Sequence, residues 1–155
     1  MARWLFKEEP SHYSFADLQR DGLASWDGVK NALAKQHLRR VKRGDEIFYY
    51  HTGNEKAIVA LAVAAGDATE DQGQNSVRVK VKPVRRLQRP VTLSEIKADS
   101  QFAAWELTRI SRLSIMPVTE SIWRRVLALS ERSAPATQPS DRMQRPPRKT
   151  RRIQK

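Results

Sequence analysis

The chain has 155 residues with 29 Lys and Arg against 17 Asp and Glu, giving a formal charge of +12 and a pI of about 10.6. Such a balance favours a polyanionic partner, nucleic acid above all. There is no cysteine, which excludes disulfides, thiolate metal sites and a cysteine nucleophile. Met1 to Pro10 holds no apolar leader core, and no stretch is long enough to cross a bilayer. The expectation is a protein away from membranes, cytoplasmic (bacterial nucleoid) or nuclear if eukaryotic.

Arg3 to Lys7 reads as a short strand that stops before Pro10, because proline lacks the ladder donor. Ser11 or Ser14 can cap a helix through Asp17-Leu18-Gln19 that ends near Gly22. Trp26-Asp-Gly is a turn signal carrying an aromatic ring, and Asn31 follows close enough for its amide to face that ring. Val29, Leu33, Leu38 and Val41 space out a short amphipathic helix, broken at Gly44-Asp45. Glu46 to His51 is rich in strand formers, and Gly53-Asn54 turns the chain.

Ala57 to Ala65 is apolar throughout and reads as a strand buried on both faces. Ser76 to Val84 alternates valine with Arg or Lys, so one face is core and the other a basic row, with Pro83 marking an end or edge. Pro90 to Leu93 starts another strand or turn, and Ser94 caps a short helix around Glu95 to Lys97. Ser111 to Met116 reads as the last strand, and Thr119 caps a helix from Glu120 to Leu129. Residues 131–155 hold eight Lys/Arg against Glu131 and Asp141 and almost no apolar side chain, so a disordered basic tail is expected after a domain of residues 1–130. Short strands punctuated by short helices suggest an α+β fold, a small β-barrel or curled sheet with helices at its rim.

No catalytic constellation is present. His12, His37 and His51 have no metal-ligand spacing, and neither a nucleophile elbow nor a phosphate-cradling glycine loop occurs. No metal or cofactor is expected. A lone His51 at a strand end reads as a hydrogen-bonded structural residue sooner than as a base. Two basic sets are candidates for phosphate contacts: Lys35, Arg39 and Lys42 at helical spacing, and Arg78, Lys80 and Lys82 along a strand. Lys7, Trp26, Asn31, His51, Arg112 and Ser114 are polar or stacking groups beside strand ends, where barrel mouths bind ligands.

The ordered pieces WLFKEEP (4–10), WDGVKN (26–31), KRGD (42–45), FYYHT (48–52), PVTLSEIK (90–97) and SRLSIMPVT (111–119), closed by Trp123, resemble the EVE domain family over about residues 2–129. The resemblance implies a PUA-like β-barrel flanked by helices, and a non-catalytic reader of a modified cytosine in DNA or a modified RNA base. On that reading Trp26 stacks the base, Asn31, Lys7 and the Ser111–Ser114 segment line its edges, and His51 and Thr52 close the wall. The chain departs from the family between the third and fourth strands, where Gly66 to Asn75 is short and lacks an aromatic. Two other readings compete: a general RNA- or ribosome-associated binder driven by basic patches, and a base-modifying or nucleic-acid-cleaving enzyme. Oligomeric state is not legible.

Overall fold

The computed structural model describes residues 1–71 and 73–132. The expected disordered tail lies outside the described residues from position 133 onward.

Strand β1 (Arg3–Glu8) runs parallel to β3 (Glu46–His51), with Leu5 opposite Phe48. Trp4, Leu5 and Phe6 are all buried, so the first strand is a core strand. Its register is fixed by the buried carboxylate of Asp45, which accepts from the Ala2 amide at 3.1 Å, the Trp4 indole at 3.0 Å and the Lys42 amide at 2.9 Å. What reads in sequence as a turn residue is therefore a pin between β1 and the start of β3.

Between them come α1 (Pro10–Tyr13), α2 (Phe15–Asp21), β2 (Ala24–Trp26) and α3 (Ala32–Arg39). Ser14 and Asp17 form a capping box on α2, and Gly22 closes it in the left-handed region at φ 76°. The α3 helix starts at Ala32 rather than at the expected Val29, because Asn31 is its N-cap: Oδ1 accepts from the Ala34 amide at 2.9 Å. The short β2 was not expected at all.

The buried β4 (Ala57–Ala64) pairs antiparallel with β3, and β5 (Thr69–Asp71) pairs with β6 (Ser76–Thr92). The expected break at Pro83 does not occur: β6 runs on for 17 residues. Its register against β4 shifts there, with Ala62 opposite Pro83 and Leu61 opposite Arg85. Val84 is the extra, exposed residue of a bulge, which is how a strand accommodates a missing donor.

The chain closes with α4 (Leu93–Lys97), a 3-10 turn at Ser100–Phe102, α5 (Glu106–Arg109), β7 (Ile115–Pro117) and α6 (Glu120–Ser130). Thr92, not Ser94, caps α4, and the last strand begins at Ile115 rather than Ser111. Thr119 caps α6 as expected, and Trp123 stacks on Phe48 with centroids 3.8 Å apart. The seven strands form one mixed sheet, in the order β2-β6-β4-β3-β1-β7 with β5 beside β6, curled into a half-barrel with the helices around it.

Candidate nucleic-acid interface

Strand β2 pairs with β6 on one side and, among the described residues, with no strand on the other. A cavity of about 360 Å³ is lined by Ala24, Ser25 and Trp26 of β2. Glu8 from the end of β1, His12 and Tyr13 from α1, and Asp21 from the end of α2 also line it. The volume falls in the range of small-molecule sites, roughly 300–1,000 Å³.

Trp26 is held by its neighbours: it is 7% exposed, its centroid lies 5.3 Å from Phe6, and it meets Tyr49 edge-to-face at 5.5 Å. Most of the ring is core, and the remainder is a fixed aromatic wall. Tyr13 donates its hydroxyl to Asp21 Oδ2 at 2.8 Å. Burial, then that bond, pushes the phenol up to about 12, so it stays a donor at neutral pH. The Arg20 guanidinium holds the Asp21 carboxyl below its usual range. His12 Nδ1 lies 2.8 Å from Glu8 Oε2, and this bond raises the imidazole above its ordinary value. Glu8, Asp21 and Asp27 make the lining acidic. Carboxylates accept from amino groups such as N4 of cytosine, and they repel phosphate.

A basic row stands on the strand paired with β2. Arg78, Lys80 and Lys82 are exposed while Val77, Val79 and Val81 are buried, the period-2 pattern of a half-buried strand. Lys80 is the ladder partner of Ser25, so the row runs along the strand that flanks the cavity. Among the described residues no group of three His, Asp or Glu could hold a metal ion, and no helix is long and apolar enough to cross a membrane.

Residues 2–129 match the EVE domain family. The chain belongs to that family. Human (Homo sapiens) thymocyte nuclear protein 1 is 29% identical over 168 residues, covering 84% of this chain and 75% of its own length. A protein from Rhodopseudomonas palustris, solved by NMR, is 37% identical with a TM-score of 0.80, covering 84% of this chain and 93% of the other. The human THYN1 protein, crystallised in complex with DNA containing 5-methylcytosine, superposes with a TM-score of 0.81 at 28% identity, covering 86% and 100%. The curled sheet is the PUA-like fold that the resemblance implied.

This EVE domain divides the residues singled out from sequence. Trp26 lines the cavity just described, whereas Lys7 and Thr52 line a second one. Lys7 and Glu8 are adjacent on β1, and a strand sends neighbours to opposite faces. Asn31, His51, Arg112 and Ser114 line neither cavity. Asn31 uses its Oδ1 as the cap of α3. His51 is buried; its Nε2 accepts from the Phe15 amide at 3.1 Å, which leaves Nδ1 as the donor to Glu55 at 2.7 Å. Arg112 is exposed, and the Ser114 carbonyl accepts from the Lys7 amide at 2.9 Å. Of the helical set, Arg39 pairs with Glu70 at 2.9 Å and Lys35 donates to the Asn75 carbonyl at 2.9 Å, which ties both to the β5–β6 hairpin. Lys42 lies beyond the end of α3. Glu8, Tyr13 and Asp21 were missed; only the Glu8-to-His12 spacing hinted at them.

Proposed function

We propose that the chain is a non-catalytic nucleic-acid-binding module that takes an unpaired base into the cavity beside Trp26. The ligand is a modified cytosine in DNA or a modified base in RNA. One observation carries this reading: a base-sized cavity with an aromatic wall and acidic lining adjoins a basic strand through the Ser25–Lys80 pair. The human THYN1 protein in complex with 5-methylcytosine-containing DNA supports the choice of base.

The energetics divide between the two parts. Extruding a base costs a few kcal/mol, and full stacking on an aromatic face would return about 1–3 kcal/mol, of which Trp26, 7% exposed, offers only a part. Base capture alone therefore does not favour binding, and Arg78, Lys80 and Lys82 supply net affinity by releasing counterions. No acid–base pair or metal centre is needed for binding alone.

The test is a titration of paired oligonucleotides, with plain or 5-methylated cytosine in DNA and RNA, at two salt concentrations. Ser25→Trp serves as the variant, because Ser25 is an exposed cavity residue and a ring there fills the space without opening the core. A preference for the methylated strand that persists at higher salt and vanishes in Ser25→Trp is the expected result. Binding that is indifferent to methylation and to Ser25→Trp would leave only the basic face at work.

A further inference from the structure

On the other side of β1 lies a second cavity of about 250 Å³, framed by the β3–β4 turn, α4 and the end of α5. Lys7, Lys56 and Lys97 all line it, and no carboxylate does. Among the described residues none of the three ammoniums has a carboxylate within 4.0 Å. Lys7 is half-buried, donates to the Ser111 carbonyl at 3.0 Å and sits over the Tyr50 ring at 5.6 Å. Tyr50 is 3% exposed and lines the same cavity, and its hydroxyl makes no hydrogen bond to the described residues.

We propose that this cavity binds a phosphate group, held by the ammoniums of Lys7, Lys56 and Lys97 and by the Tyr50 hydroxyl. An anion placed in the cavity would meet three ammoniums and no carboxylate among the lining residues. In the ordinary alternative, three solvated lysines, Lys7 has the Ser111 carbonyl and the Tyr50 ring but, among the described residues, no carboxylate within 4.0 Å. Burial lowers its pKa, and a bound anion would offset that cost of holding the charge. A phosphate offers more oxygens and charge than a carboxylate, matching three cations and a phenol donor that burial raises to about 12. The group can come from a small phosphomonoester or from a nucleic-acid backbone. The Trp26 cavity has no part in it.

The experiment is an amide-shift titration of the isotope-labelled full chain with inorganic phosphate, methyl phosphate, acetate and a short oligonucleotide, all at matched ionic strength in chloride. Saturable shifts at Gly53, Lys56, Lys97 and Ser111 with phosphate, absent with acetate, are expected. Lys56→Gln and Lys97→Gln should each weaken them about tenfold, the loss of one charge-assisted contact. Both side chains are exposed, so the variants leave the core intact. A response to methyl phosphate but not to the oligonucleotide assigns a free monoester, and the reverse assigns a backbone contact. Shifts equal to those with acetate, shifts elsewhere, or shifts unchanged in both variants overturn the proposal. Ser25→Trp should leave these shifts intact, so failure of the base cavity and failure of this site are separable.

Discussion

Lys80 of β6 stands directly opposite Ser25 of β2, so a cation of the basic row and a residue of the Trp26 cavity share one cross-strand pair. Directly opposite residues in an antiparallel pair have Cβ atoms about 5 Å apart. A base entering the cavity would therefore leave its own phosphates within reach of Lys80 and its neighbours. Lys80→Ala should weaken plain and methylated oligonucleotides alike and lower the slope of log affinity against log salt by about one. Its effect on stability should stay within about 0.5 kcal/mol, since the side chain is exposed. Binding isotherms at several salt concentrations, with a urea melt of the same variant, check both statements.

Trp26→Ala should cost about 3–5 kcal/mol of stability, because it removes a ring packed on Phe6 and Tyr49. Urea denaturation reads this directly. Trp26→Phe keeps part of the packing and should lose distinctly less. A loss near zero for Trp26→Ala would mean that the ring is a surface platform rather than core.

Legibility in the sequence followed the range of the interactions. The β6 row was readable because period-2 alternation is local, and β4 because an unbroken apolar run needs cover on both faces. Pro83 misled because a bulge depends on what lies opposite, here Leu61 and Ala62, which the proline's own neighbours do not reveal. Asn31 was seen as a site candidate, but the capping of α3 by its Oδ1 was not. Lys7 and Trp26 could not be separated into two cavities without knowing which way β1 faces, and a one-residue slip reverses that. Asp45 looked like any turn aspartate, and only the fold brings Ala2 and Trp4 to it.

Arg89 and Glu95 form a bidentate pair at 2.9 and 2.8 Å, and Glu95 also receives the Thr92 amide at 3.0 Å. The Arg89 bond, followed by the Thr92 amide, holds the Glu95 carboxyl below its usual value of 4.5. A depressed carboxylate contributes stability that is complete above its unfolded value and lost as pH falls through the folded one. Unfolding should therefore become easier on acidification below about pH 4.5. Glu95→Gln should cost about 1–3 kcal/mol at neutral pH and flatten that part of the acid profile. Denaturant midpoints from pH 7 to 3 test the point; an unchanged acid slope would rule out Glu95 as its source.

His12 and Glu8 make the Trp26 cavity sensitive to pH in the opposite sense. The bond to Glu8 raises the imidazole above its ordinary value of 6.5. A raised histidine contributes its stabilisation fully below the unfolded value and loses it as pH rises through the folded one. Proton loss also removes the cation that balances Glu8, leaving Glu8, Asp21 and Asp27 to face an incoming polyanion. Tyr13, pushed to about 12, and Asp21, held low, do not change charge in this window. Affinity for any oligonucleotide that enters the cavity should thus fall as pH rises above about 6.5, by an amount that shrinks at high salt. His12→Gln should remove the step while keeping affinity above it unchanged. The measurement is binding at half-unit intervals from pH 6 to 9, alongside the His12 ring shift. A step that survives in His12→Gln would place the titrating group elsewhere, with His37 and His51 the remaining histidines.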